Sequence, residues 1–500
     1  MGVQKIPLIY VRGYAGTQAD VEETVDDPFY GFNVGSTHIR QDQTGSAVYF
    51  AFQSPFVRLA RDHGYNEVFE GSYQAIGSKC PDPNRTVWIY RYYDPTSKTF
   101  DRPGGRRLTI EEAAAHLGDF IEYVLKQPKV TATKVYLVAH SMGGLVCRSL
   151  LEKHYPENSI NPNTKVAKLF TFGTPHGGIH FDIGAGAIEK VRDLLGANQS
   201  NDFGRERMYR YLTPLRKQQK NVPKKWDPRT MESFDPGHVF CVVGTNAHDY
   251  EVAHGLSRSL VGPQSDGLVQ IESAYVHRSP RTYIHRSHSG RYGMVNSEEG
   301  YQNLQRFLFG DVKVDAMLSD FSLDYAPRPN EKKATVTYLF EVQLAIRGLV
   351  ILMHESSTTH LCAISLDKDE YTKARRDGLP LFTTFLLDED SRENAMRFMF
   401  RVGVYRQVFQ KGILFMEDHL ECLPTWSDYL IVDIRLAAKG SKTRYDTRYR
   451  WASEGNVDMH ELEIQNPSQP RSYSFAPLLE RGRQILGQRA RIRFDSSDWS

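Results

Sequence analysis

Through residues 1–310, short apolar runs alternate with longer stretches in which apolar positions recur at helical spacing. Leu8–Val11, Val87–Tyr92, Lys134–Val138, Val166–Phe172 and His238–Val243 are rich in Val, Ile, Tyr or Phe, and each ends near a Gly, Asp or His. They read as strands. Phe56–His63, Ile110–Lys126, Gly144–His154 and Glu298–Leu308 read as the helices between and after them. Alternating strands and helices predict βαβ units, hence a parallel sheet covered by helices on both faces. One stretch breaks the rhythm. Residues 179–237 lie between two predicted strands, and within them Ile188, Val191 and Leu195 recur at helical spacing. This insertion reads as a helical cap over the sheet edge.

After Phe309-Gly310-Asp311 the pattern changes to period two. Thr335–Ile346, Ala395–Tyr405, Ile413–Glu417, Tyr429–Leu436 and Glu461–Ile464 read as strands, and Leu478–Leu486 is the best helix. The expected organisation is an α/β domain over 1–310, a linker over 311–333 marked by Pro327, Pro329 and a polar run, and a β-rich domain over 334–500. A sandwich is its simplest form.

Composition narrows the function classes. Hydrophobic residues make up 40% of the 500, enough for large cores. Charge is nearly balanced at +2, which argues against a nucleic-acid binder. The apolar runs fall short of the ~20 residues a membrane helix needs, so membrane contact is expected to be peripheral at most. No leader-like segment is seen at Met1–Ile6, and the five cysteines are widely spaced, which together predict a cytoplasmic protein. His354 and His360 lack the spacing of a zinc motif, so no metal is expected, and nothing calls for a cofactor.

The chemistry concentrates in Lys134–Leu145, KVYLVAHSMGGL. A β-branched strand runs into Ala139-His140-Ser141-Met142-Gly143, followed by a helix-compatible segment. This is the small-x-Ser-x-Gly pattern of a nucleophile elbow, where small residues are needed because the serine sits on a strained strand-to-helix turn. Three further stretches follow the order such a site requires. Val11–Gly16 is a Gly-rich turn after the first strand. Ser265–Val269 holds an acid, Asp266, in a turn after a late strand. His285–Gly290 precedes the last helix. The order Ser, Asp, His is that of an α/β-hydrolase triad.

Residues 6–310 therefore resemble a serine lipase or esterase of the α/β-hydrolase superfamily. The resemblance rests on Val11–Gly16, Ala139–Gly144, Thr174-Pro175-His176-Gly177-Gly178 and Asp266–Val269. It is closest in kind to bacterial lipases and to acylhydrolases related to deacylases of lipid anchors. It implies Ser141 as nucleophile, Asp266 as triad acid and a histidine near 285–288 as base. Backbone N–H groups of Tyr14 and Met142 would form the oxyanion hole, with Arg12, Gly13, His140 and Gly143 in support. Two departures stand out: Arg12 replaces the usual histidine, and Ala139 takes the first Gly position.

Two histidines compete for the base. His288 precedes a turn-like Ser-Gly pair, whereas His285 ends the strand Thr282–Ile284; His288 is preferred and His285 is the alternative. Asp249 is the alternative acid. The expected activity is hydrolysis of carboxylic, lipid-like acyl esters, with a small-molecule or lipid ester as substrate. Thioester or amide hydrolysis, or a non-catalytic interaction protein on a hydrolase scaffold, are the alternatives. The stretch Arg216–Arg229 is basic, which allows an anionic lipid surface as a contact.

Overall fold

The computed structural model describes residues 5–13, 38–41, 47–50, 55–68, 76, 80–90, 92, 108–179, 202–249, 261–289, 293–329, 331, 334–388, 395–410, 419–437, 445–465 and 472–499. Tyr14, residues 180–201 of the expected cap and the expected strand Ile413–Glu417 lie outside these. The chain divides into two compact units. The first holds Gln4–Arg281 and His285–Leu308, the second Phe309–Ser500 with Thr282–Ile284.

The first unit is built on strands β1 (Leu8–Val11), β4 (Asn66–Glu67), β5 (Thr86–Tyr90), β6 (Val135–His140), β7 (Val166–Phe172) and β8 (Val239–Gly244), and its sheet ends in β9 (Arg281–Ile284), of which Thr282–Ile284 group with the second unit. Between β1 and β4, β2 (His38–Gln41) and β3 (Ala47–Phe50) pair with each other. The seven form one sheet in the order β4-β5-β1-β6-β7-β8-β9, parallel from β4 through β8. Every residue of β1, β5, β6 and β8 is buried, which is why these strands read as continuous apolar runs rather than alternating ones.

Helices α1 (Pro55–His63), α2 (Ile110–Leu125), α3 (Met142–Ser149), α4 (Arg205–Leu212) and α5 (Glu298–Phe309) complete the unit. Helix α2 shows how local sequence sets an element. Thr109 accepts from the Glu112 N–H at 3.2 Å, and the Glu112 carboxylate accepts from the Thr109 N–H at 2.8 Å. That capping box satisfies end groups the helix cannot, worth about 1 kcal/mol. Ala113, Ala114, Leu117, Ile121 and Val124 then recur at helical spacing and are buried. Helix α3 is buried over its whole length, and its last turns pass into a wider π turn at Leu150–His154. The described part of the expected cap, 202–237, is only partly helical. Only α4 is a full helix there; short 3₁₀ turns and extended chain make up the rest, because Pro214, Pro223 and Pro228 interrupt it.

The second unit is two antiparallel sheets. One contains β10 (Val312–Ser319), β14 (Leu379–Leu386), β19 (Glu463–Gln465), β20 (Ser472–Pro477) and β21 (Arg491–Asp498). The other contains β11 (Thr335–Ile346), β12 (His354–Ser356), β13 (Ile364–Leu366), β15 (Met396–Gln410), β16 (His419–Leu436), β17 (Tyr445–Trp451) and β18 (His460–Glu461). Both sheets contribute to one apolar core. Phe382 of β14 meets Phe400 of β15 edge to face at 4.9 Å. Two short helices, α6 (Lys368–Asp377) and α7 (Glu480–Leu486), decorate the unit. Val312–Ser319, inside the stretch read as linker, is a strand: its buried positions alternate strictly, and it pairs with both β14 and β21.

Candidate active site

Strand β6 ends at His140 and α3 begins at Met142, so Ser141 must turn the chain from sheet to helix in one residue. It does so at φ 53° and ψ −128°, outside the ordinary regions for an L-residue. The strain is held in place. The Ser141 N–H donates to the carbonyl of Phe172 at 2.9 Å, while its own carbonyl accepts from the Thr174 hydroxyl at 2.9 Å and the Gly144 N–H at 3.0 Å. Small residues let neighbouring backbones close in. A Cβ on Gly143 would lie 2.3 Å from the Val11 carbonyl, and one on Gly13 would lie 2.7 Å from the Ser141 Cβ. The first helical N–H groups of α3, that of Met142 among them, have no intrahelical acceptor. Tyr14 lies outside the described residues.

The Ser141 hydroxyl lies 2.9 Å from His288 Nε2, and His288 Nδ1 lies 2.8 Å from Asp266 Oδ2. His288 and Asp266 are only 2% and 1% exposed. A carboxylate only accepts, so the network puts the proton on Nδ1 and leaves Nε2 to accept from the serine. The other Asp266 oxygen accepts from the N–H groups of Leu268 at 3.0 Å and Val269 at 2.8 Å. The main chain reinforces the pair, the His288 N–H donating to the Asp266 carbonyl at 2.9 Å. The loop carrying His288 is pinned to α5 by Arg286, which pairs with Glu299 at 2.9 Å; α5 in turn holds α1 through Glu298 and Arg58 at 2.6 Å.

Residues 105–201 match the PGAP1-like alpha/beta domain, a stretch that includes Ser141 and stops short of Asp266 and His288. Lipase 1 of Staphylococcus aureus (strain MRSA252) is 28% identical over 232 residues, covering 40% of this chain and 29% of the relative. The lipase of Staphylococcus epidermidis is 30% identical over 234 residues with the same coverage. The chain thus spans less than a third of the length of these curated relatives. Among solved structures, the Bacillus licheniformis lipase BlEst2 in mature form is similar at a TM-score of 0.32 and 14% identity, covering 61% of this chain and 92% of that one. Phospholipase PlaB from Legionella pneumophila in complex with thio-NAD matches at a TM-score of 0.32 and 11% identity, covering 83% and 91%. The first unit carries a lipase/esterase-like α/β-hydrolase segment.

The remaining sequence candidates take distinct places in this hydrolase segment. His140 is buried, and its Nε2 meets the His288 carbonyl at 2.9 Å, the two rings 4.9 Å apart. Burial holds the His140 ring well below the ordinary histidine range, and the charges of His288 and Arg12 push the same way. It is therefore a neutral donor that ties the turn before the serine to the loop of His288. Arg12 is half-buried, and its carbonyl accepts from the Tyr92 hydroxyl at 3.1 Å. His285 is exposed and lies 3.3 Å from the Thr245 hydroxyl, apart from the serine–histidine–aspartate chain. Asp249 closes a local turn with Asn246 at 2.8 Å. His176 is buried against Thr171 at 3.1 Å.

Gly173, Arg148 and Glu152 escaped the sequence reading, and Thr174 entered it only as part of a motif. Gly173 sits at φ 52°, where a Cβ would lie 2.9 Å from Asp266 Oδ2 and 3.0 Å from His288 Nδ1. Thr174 fastens the serine, as above. Arg148 is fully buried, donating to the carbonyls of His176 at 3.2 Å, Pro228 at 2.7 Å and Thr230 at 3.0 Å. Glu152 accepts from the N–H groups of Glu232 at 2.8 Å and Phe234 at 3.1 Å. Burial pushes its carboxyl upward, against those donors and Arg148, which favour the charged form. Arg148 and Glu152 lie one turn apart and clamp the C-terminal part of the inserted segment. The available signal was an Arg and a Glu four residues apart within an otherwise apolar helix.

Proposed function

We propose that this chain is a serine hydrolase of carboxylic, lipid-like acyl esters, with Ser141 as nucleophile, His288 as general base and Asp266 as the acid that orients it. The observation that carries the reading is the serine–histidine–aspartate chain of 2.9 and 2.8 Å on a serine held at positive φ. In this reading His288 Nε2 takes the Ser141 proton as Oγ attacks the acyl carbon, and Asp266 stabilises the resulting imidazolium. The oxyanion is held by the N–H of Met142, at the start of α3, and by that of Tyr14. Each such donor is worth about 2.7–4 kcal/mol in the transition state. His288 then returns the proton to the leaving alcohol, and water hydrolyses the acyl-enzyme by the same route. These steps require no metal. His140, neutral and bonded to the base's carbonyl, keeps the ring in register.

The test is a fluorophosphonate probe followed by a panel of p-nitrophenyl esters from short to long chain, with Ser141→Ala as the blank. Labelling at Ser141 and turnover that the blank lacks are expected. A folded protein that neither labels nor turns over would instead be an interaction protein on a hydrolase scaffold.

A further inference from the structure

We propose that the stretch Leu215–Lys225 of the inserted segment is a docking surface for anionic lipid headgroups. Residues 216–225 hold five cations and no acid: Arg216, Lys217, Lys220, Lys224 and Lys225. All five are exposed. Of these, Lys217 is neutralised by Glu232 at 2.8 Å. Arg216, Lys220, Lys224 and Lys225 make no ion pair among the described residues. The contrast with the end of the same basic run is sharp, because Arg229 is paired with Asp227 at 3.3 Å and with Glu272 at 3.6 Å.

The stretch is fixed through its uncharged parts. The Gln218 amide donates to the carbonyls of Arg210 at 2.8 Å and Thr213 at 2.7 Å, and the Gln219 N–H donates to the Tyr209 hydroxyl at 2.9 Å. From α4, Arg205 reaches back to the carbonyls of Pro223 at 2.8 Å and Lys224 at 3.2 Å, while the Leu215 N–H is held by Glu157 at 2.7 Å. Trp226 packs edge-on against Tyr209 at 5.2 Å. The main chain is thus ordered without spending the four charges. Unpaired like charges repel one another, and an ordered loop that keeps them presents a local positive field that favours anions from outside. Leu215, 68% exposed beside Arg216, adds an apolar contact that a lipid surface accommodates and a polyanion does not. The choice of lipid rests on the ester-hydrolase reading above; the cationic surface itself does not.

Co-sedimentation of the full chain with phosphatidylcholine vesicles, with and without phosphatidylserine, tests it. The wild type should bind the phosphatidylserine vesicles preferentially, and salt should weaken the binding. The combined variant Arg216→Gln, Lys220→Gln, Lys224→Gln, Lys225→Gln should lose on the order of six hundredfold, at roughly fivefold per cation. Leu215→Ser should lose a further few-fold. Hydrolysis of a soluble short-chain ester and the melting temperature should be unchanged in these variants, showing that they fold. Equal binding by the fourfold variant, indifference to phosphatidylserine, an unaltered Leu215→Ser, or capture by heparin or RNA in place of vesicles would each overturn the proposal. Vesicle binding reads no turnover, so a protein inert toward every ester would sink the hydrolase reading and leave this measurement standing.

Discussion

In the first unit, the polar side chains that meet around Ser141 stand beyond the ends of strands: Ser141 after β6, Asp266 in a turn after β8, and His288 in the loop after β9. In the second unit, several charge pairs sit on the strands themselves. Arg397 on β15 lies directly opposite Asp433 on β16 and grips it at 2.5 and 2.7 Å; Arg401 reaches Glu341 on β11 at 2.7 Å. A cross-strand pair is satisfied by the pleat, since facing side chains are held close by the ladder. It has nothing left to offer a substrate. Parallel strands end where helices begin, so their loops meet uncapped N–H groups and strained turns, and reactive geometry collects there. Cross-strand charge pairs hold the sheets of the second unit, whereas in the first unit a set of buried polar groups gathers beyond the strand ends around Ser141.

That contrast can be broken by mutation. The largest effect is expected at the strand ends. Ser141→Ala and His288→Ala should each lower ester hydrolysis by at least ~10³-fold with little change in melting temperature, while exposed His285→Ala stays within about twofold. An equal loss from His285→Ala, measured as kcat/KM on a short-chain ester, would relocate the base. In the sandwich, Arg397→Met leaves the Asp433 carboxylate buried without its main partner. It should cost about 3 kcal/mol in urea unfolding, with specific activity per folded molecule intact. An activity loss without destabilisation would erase the distinction between the units. His140→Phe should reduce kcat by about tenfold through misplacement of the base. His140→Gln, which keeps a donor, should recover part of it.

The smallest effect is in pH dependence. Burial depresses His140 and His176 in the folded state relative to the unfolded value near 6.5. Below that pH the unfolded chain binds protons that the folded chain refuses. Their contribution to stability is therefore complete above about pH 6.5 and is lost as pH falls below it. His140→Gln should make the urea midpoint fall less steeply between about pH 7 and pH 5 than in the wild type. An unchanged slope would mean that His140 is accommodated in its charged form.

The residues 134–145 carried most of what could be read in advance, because a buried strand, a small residue and a serine at an abrupt turn form a contiguous pattern. Period-two alternation likewise announced Thr335–Ile346 at its observed limits. Other elements were hidden. Val312–Ser319 alternates well, but neighbouring prolines and polar residues made it look like linker, and only its two partners make it a strand. The inserted segment was read as helical from periodicity in 187–195, which lies outside the described residues; its described part is organised by Arg148 and Glu152, whose targets are backbone groups some 80 residues away.

The sequence by itself determined the parallel sheet and the serine at the strand-to-helix turn, since these depend on local sterics and on apolar spacing. The choice of His288 over His285 as the ring beside Ser141 was a tertiary decision. Three residues separate them, yet one ring falls between a serine and a carboxylate, 147 and 22 residues away, and the other falls toward solvent. The same holds for which cations of Arg216–Arg229 are neutralised. Charge is written in the sequence, but whether it is spent depends on acids such as Glu232 and Glu272 that folding brings within 2.8 to 3.6 Å.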